Sequence, residues 1–389
     1  MNNSTTRIMR GGAWLAVAAL AATAFSATSA VARNQWSNYH WEKPAGQTHL
    51  TINVNNCQTD PSHATRKYGY NTFDHFSGPN DDWDDIIAGG GGAIVLVDGA
   101  CPNFSGLAPT AGDPLGNFNS RSQIAAFGYD ATDTNAEGTI NAFNDSYGNN
   151  GWVGLAIISL EQSSGDNHIV YGEVYLNDYY ATQFNVYNRA LVMRKVQCQE
   201  IGHIFGLDHV KKDNSCMYSS AAFVGSTYTP NGHDGGMVNK ITDSHGGTVE
   251  PPPPDDGGGP CAKKKPPPKC GAAGVFRGKA NWAEGFASRG EMYESADLVV
   301  SVTVRSGSMF DRMVGTAGRA LPVSQAVMLI RETIKGKAKG VIRVEHVRGL
   351  GLEIEDDPGY VNGDNYLLYL RQIGVSTFRV VNPQGRIPQ

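Results

Sequence analysis

Charge is scarce in this sequence. Only 18% of its 389 residues are Asp, Glu, Lys or Arg, with 32 basic side chains against 37 acidic. Between Arg33 and His245 the balance turns acidic, 11 Lys and Arg against 22 Asp and Glu, a formal charge of −11. A surface of that sign repels a phosphate backbone, so nucleic acid is excluded as a partner. Long apolar runs are also missing. After the N-terminal segment no stretch is long and apolar enough to cross a bilayer, so no membrane span is expected. Cysteine is limited to six residues. None lies between Arg33 and the first strand-like run, so no thiol stands ready there to cap a metal. Beyond Ala272 no grouping of His, Cys or acid looks catalytic, which confines the chemistry to the first two thirds of the chain.

The first residues have the pattern of an export signal. Arg7 and Arg10 precede the apolar run Ala13-Trp14-Leu15-Ala16-Val17-Ala18-Ala19-Leu20, and Ala30-Val31-Ala32 offers a small-residue cleavage site before Arg33. Residues 1–32 therefore read as a signal peptide, and the protein as secreted or periplasmic. Six cysteines suit an oxidising compartment and three disulfides. Proximity suggests Cys57–Cys101, Cys198–Cys216 and Cys261–Cys270, among about fifteen possible connectivities.

Composition then divides the chain. Residues 33–245 form a first domain. Residues 246–271, with Pro251-Pro252-Pro253-Pro254 and Lys263-Lys264-Lys265, form an extended linker. Residues 272–389 form a β-rich domain with strand-like runs at 298–304, 326–330, 341–347, 366–370 and 378–381. The linker predicts that this tail folds by itself. In the first domain, runs at 48–54, 93–97, 140–144, 152–158 and 168–177 read as strands, and 188–205 as a long helix. The class is therefore α+β. Residues 103–135 read as a surface loop. Asp81, Asp82, Asp84 and Asp85 supply oxygens that suit Ca2+; the alternative is an acidic first turn of a helix.

The chemistry centres on Gln199-Glu200-Ile201-Gly202-His203-Ile204-Phe205-Gly206-Leu207-Asp208-His209. Four-residue spacing puts positions 199 and 203 on one helix face. Gly206 can take the left-handed conformation that ends a helix, and the turn would return His209 to the same point. Ser215-Cys216-Met217 follows.

These residues resemble a secreted bacterial branch of the matrixin-like metzincins, whose zinc helix reads HExxHxxGxxH; Gln199 here stands in place of the first His. The resemblance covers most of 140–245, including Tyr147-Gly148 and Gly151-Trp152-Val153-Gly154-Leu155-Ala156. It implies a twisted mixed sheet with a zinc helix beneath a cleft. Gln199, His203 and His209 would hold Zn2+, Glu200 would be the catalytic general base, and Met217 of a Met-turn would floor the site. Residues 169–176, with Tyr171, Gly172 and Glu173, would be the edge strand that pairs with an extended peptide. The tail looks like a small OB-like barrel.

Two functions follow. One is a zinc endopeptidase acting on a peptide or protein substrate. The other is a catalytically weak or inactive pseudo-protease that binds peptides, suggested by Gln199, because an amide oxygen is a poorer zinc donor than imidazole. His168, His233 and His245 read as structural or surface residues.

Overall fold

The computed structural model describes residues 34–43, 46–57, 83–89, 91–99, 137–160, 168–183, 190–211, 214–218, 228–243, 276–283, 286, 288–315 and 320–389. The expected signal peptide, the 103–135 loop, the linker, His245, Asp81, Asp82, Cys101, Cys261 and Cys270 lie outside them. Residues 34–389 make one compact unit of mixed α and β structure built on two sheets.

The first sheet contains β1 (His40–Trp41), β2 (Leu50–Asn56), β3 (Ile94–Gly99), β4 (Glu137–Asp145), β5 (Trp152–Leu160) and β6 (His168–Asn177). Strands β3, β2, β4 and β6 run parallel in that spatial order, β1 pairs beside β6, and β5 lies antiparallel to β6. Leu50, Ile52 and Val54 of β2 alternate with polar residues and enter the core shared with the helices, while Val95 and Val97 of β3 stay exposed. Along β5, Ala156 and Ile158 enter one core and Leu155 and Ile157 the other.

Helices α1 (Trp83–Gly89), α2 (Asp178–Gln183), α3 (Ala190–Ile204) and α4 (Gly232–Asp243) accompany this sheet. The acidic segment thus leads into a short helix, with Asp85 exposed. Helix α3 approaches β5 and β6 through two glycines. A Cβ on Gly154 would meet Val196 and Glu200 at 2.5 Å, and one on Gly172 would meet Ile204 at 2.3 Å. Val196, Glu200 and Ile204 follow one another at four-residue spacing, so they form the sheet-facing stripe.

The expectation that 169–176 is an edge strand is corrected. Strand β6 is internal, bonded to β4 on one side and β5 on the other, and buried along its whole length. Its alternation misleads because the polar members are satisfied inside. Glu173 is 0% exposed and accepts hydrogen bonds from the Tyr171 and Tyr175 hydroxyls at 2.8 and 2.5 Å.

The sheet also continues past the compositional boundary. β7 (Phe276–Trp282) pairs antiparallel with β5, and β11 (Leu352–Ile354) pairs parallel with β7. Phe276, Ala280, Leu321, Val347, Leu352 and Ile354 share a core with Trp152, Leu155, Tyr171 and Tyr175. The two parts of the chain meet through a common core instead of standing apart on a tether.

The second sheet contains β8 (Leu298–Val314), β9 (Leu321–Lys335), β10 (Val341–Val347), β12 (Asn365–Gln372), β13 (Thr377–Val380) and β14 (Arg386–Pro388), with helix α5 (Arg289–Ser295) before it. Four of the five strand-like runs of the tail fall within these elements, and the fifth, 378–381, overruns β13 by Val381 alone. Strand β13 bonds to both β10 and β12, closing β8, β9, β10, β13 and β12 into a barrel. Val300, Val302, Val304, Met328, Val344, Leu368 and Phe378 fill it.

Candidate metal centre

Helix α3 ends where the sequence requires. Gly206 has φ +85°, its N–H donates to the His203 carbonyl at 2.9 Å, and the Leu207 N–H donates to the Gly202 carbonyl at 3.0 Å. This pair of bonds is a Schellman stop. A Cβ at 206 would lie 2.3 Å from the Tyr39 carbonyl oxygen, so glycine is needed for space as well as for φ. The N-terminal segment clamps the turn: the Asp208 N–H donates to the Asn34 carbonyl, and Trp41 Nε1–H donates to the Ile204 carbonyl.

The stop brings His209 back to the helix. His203 Nε2 and His209 Nε2 stand 3.2 Å apart, and His203 Nδ1 lies 2.7 Å from the Leu207 carbonyl. A carbonyl can only accept, so His203 carries its proton on Nδ1 and turns the Nε2 lone pair toward His209. Burial pushes the His203 imidazole well below its usual pKa, helped by the neighbouring His209 and Lys279. Burial likewise lowers His209 to about 4, with Lys279 adding to the effect and Asp208 opposing it. Both rings are therefore neutral at pH 7.

Glu200 is 0% exposed, and neither carboxylate oxygen has a well-formed hydrogen bond, although the Ala156 N–H lies near enough to favour the anion. Burial raises its pKa well above the carboxylate norm, against the pull of that N–H and of Lys279. Met217 is fully buried with its sulfur against Gly202, where a Cβ would fall 2.2 Å from it. The Cys198–Cys216 disulfide ties the helix to this turn across a Cα separation of 6.0 Å. Ser215 Oγ–H donates to Asp234 at 2.5 Å, anchoring the turn to the start of α4. Cys57 is also disulfide-bonded.

Gln199 is 2% exposed, and its Oε1 accepts a 2.5 Å hydrogen bond from Asn281 Nδ2 of β7. Two residues earlier on β7, Lys279 Nζ lies 2.9 Å from Asp208 and 3.2 Å from Glu355. Its burial alone would lower the ammonium pKa, but Asp208 and its other acidic neighbours hold it above the usual value. Composition alone assigns these two partners to the tail and hides their place at the motif. The alternation Phe276-Arg277-Gly278-Lys279-Ala280-Asn281-Trp282 is a two-residue period that marks a strand.

His203 and His209 thus come together, with Gln199 and Glu200 on the same helix, whereas Tyr171, Gly172 and Glu173 do not lie at an exposed edge. His168 pairs with Glu42 at 2.9 Å, and His233 is 52% exposed. Among the described residues no three His, Cys, Asp or Glu side chains form a metal-holding group. Gln199 is the remaining motif residue with an oxygen that could serve as a third donor.

Two nitrogens each bound to a tetrahedral zinc at 2.0–2.1 Å stand about 3.3–3.4 Å apart. The observed 3.2 Å is close to that spacing. It also fits a hydrogen bond from His209 to His203, so metal content decides between the two. The donor set fits zinc: two imidazoles converge, and an amide oxygen retains a second lone pair beyond its bond to Asn281. Comparison with protein-family models finds no match, and comparison with curated proteins finds none either.

Proposed function

We propose that the protein is a zinc-dependent endopeptidase of the metzincin type, acting outside the cytoplasm on extended peptide segments. The observation that carries this reading is the 3.2 Å approach of His203 Nε2 and His209 Nε2, with His203 Nδ1 committed to a carbonyl. His203 and His209 would hold the ion, with Gln199 Oε1 as a weaker third donor. The chemistry such an ion supplies is Lewis acidity, polarising a scissile carbonyl and lowering the pKa of water. Glu200 would take the water's proton and return it to the leaving amine. A carboxyl whose pKa is lifted by burial suits a group that must both accept and donate. Met217 would support the site from below without ligating it.

The family reading is supported by the Gly206 stop and by the contact between Met217 and the helix. The Cys198–Cys216 bond and the export-like N-terminus favour an extracellular or periplasmic setting. Among the described residues no helix is long and apolar enough to cross a membrane. The five-stranded ring of the tail supports the OB-like reading. Ca2+ at 81–85 stays a secondary proposal.

A second reading, a catalytically silent peptide-binding module, is favoured by one observation: Asn281 already engages the Gln199 oxygen. Metal analysis of purified protein beside an assay on denatured protein separates the two. The endopeptidase reading expects one zinc per chain, lost in His203→Ala and His209→Ala. It expects Glu200→Gln to keep zinc and lose cleavage. Zinc and cleavage absent from the native chain but gained by Gln199→His would install the binding-module reading.

A further inference from the structure

We propose that β7 is a built-in occupant of the peptide-binding edge, so that the folded chain is self-inhibited; this rests on the metzincin-type reading above. Without β7, the strand order would end at β5, whose outer backbone groups would be open to an added strand. β7 fills that edge antiparallel over seven paired positions, setting Gly278, Lys279, Ala280 and Asn281 opposite Ile157, Ala156, Leu155 and Gly154. Gly154 lies directly against Glu200. An extended peptide delivered to Glu200 along β5 would need the same backbone groups.

The side chains of β7 argue for an occupant and not only for a finishing strand. On one face Phe276 and Ala280 enter the apolar core, as any sheet strand requires. On the other, Lys279 and Asn281 are 5% and 8% exposed, and each is spent on a motif residue: Lys279 on Asp208, Asn281 on Gln199. Burying an ammonium and an amide there is costly unless both are paired. Apolar side chains would complete the sheet without that cost. The acidic balance of 33–245 matches the sign of Lys279 and Arg277. The occupant to be displaced therefore has a chemical description, and a competing substrate would be an extended peptide with a basic residue where Lys279 sits.

The test uses the full chain and a labelled heptapeptide of sequence Phe-Arg-Gly-Lys-Ala-Asn-Trp, with zinc content and cleavage of labelled denatured casein measured in parallel. Lys279→Glu sets a carboxylate against Asp208 and Glu355; Asn281→Ala is the milder variant should the first misfold. Self-occupancy expects both variants to bind the heptapeptide at least tenfold more tightly than the native chain. It also expects faster amide exchange at 154–158 and a casein rate, expressed per bound zinc, raised at least tenfold. Native-like exchange and no heptapeptide binding in folded variants would overturn it, leaving β7 a permanent strand. If zinc is absent throughout, the endopeptidase reading fails, and the heptapeptide and exchange measurements still decide whether β7 occupies a peptide site.

Discussion

Asn281 donates its side-chain amide to Gln199 across 82 residues of sequence, Nδ2 to Oε1 at 2.5 Å, with both side chains buried. The bond fixes the direction of the Gln199 oxygen and joins the tail to the one motif position where an imidazole is replaced. On the zinc reading proposed above, the third donor would be shared between the ion and a strand.

Gln199→His should raise zinc affinity. Imidazole nitrogen is the better donor to zinc, and the change ends competition with Asn281 for an amide oxygen. Asn281→Ala should also raise affinity, by less, because only the competition is removed. Removing a partner that merely orients a ligand ordinarily costs about 10–100-fold in metal affinity, so a gain in Asn281→Ala marks the bond as competition and a loss marks it as support. Competition titration with a chromophoric chelator measures both variants. A lower affinity in Gln199→His would show that the amide, held by Asn281, is the better fit.

The Cys198–Cys216 bond closes a loop of 18 residues between the helix and the turn beneath it. Replacing both cysteines by Ala should cost about 3 kcal/mol, the chain-entropy value for such a loop. Met217 would then be held against Gly202 by packing, by its backbone bonds to Ser215 and Val210, and by the Ser215–Asp234 anchor. Urea unfolding measures the loss, and a double variant within about 0.5 kcal/mol of native would show that the turn is held by Ser215 and Asp234 instead.

Local features were legible in the sequence where physics acts over short spans. The Gly206 stop, the four-residue helix spacing and the five barrel strands all depend on near neighbours. Non-local partners were not legible. Glu173 reads as exposed because nothing in its neighbourhood announces that Tyr171 and Tyr175 both point their hydroxyls at it in the interior. Lys279 and Asn281 read as part of a tail because a proline-rich segment looks like the end of a domain. The strand beyond it returns to the first sheet, and one residue of offset would have turned its Lys and Asn to the wrong face.

A chain ended at His245 should not fold as a soluble unit. It would lose β7 from the edge of β5 and strip Phe276, Ala280, Leu352 and Ile354 from the core around Trp152, Leu155 and Tyr175. The β11 side chains of the shared core are then lost for good along with β7, whereas a β7 displaced by a peptide is replaced on β5 by that peptide. An exposed apolar edge strand pairs with other chains. Size-exclusion chromatography of residues 33–245 beside 33–389 should find aggregate or no soluble material for the shorter chain. A soluble monomer with the full chain's zinc affinity would show that the shared core is dispensable.

Asp357 should make the protein less stable as pH rises toward neutrality. It is 3% exposed, and burial lifts its carboxyl from the usual 3.8 to about 7, against the pull of Arg386 and Arg348. A carboxyl raised in the folded state contributes its full stability below about 3.8, where both states hold the proton, and loses it as pH climbs through 7. The loss is on the order of 2–4 kcal/mol. His346 works in the opposite direction, because burial lowers it to about 3, so its contribution is full above 6.5 and fades as pH falls. The native curve therefore mixes these two with the contributions of Glu200, His203 and His209. Asp357→Asn isolates the carboxyl, since its amide does not titrate. Urea midpoints at pH 4 should nearly coincide for variant and native protein, and by pH 8 the variant should be the more stable. A difference that does not change with pH would mean that Arg386, 3.8 Å from the carboxylate, keeps Asp357 ionised throughout.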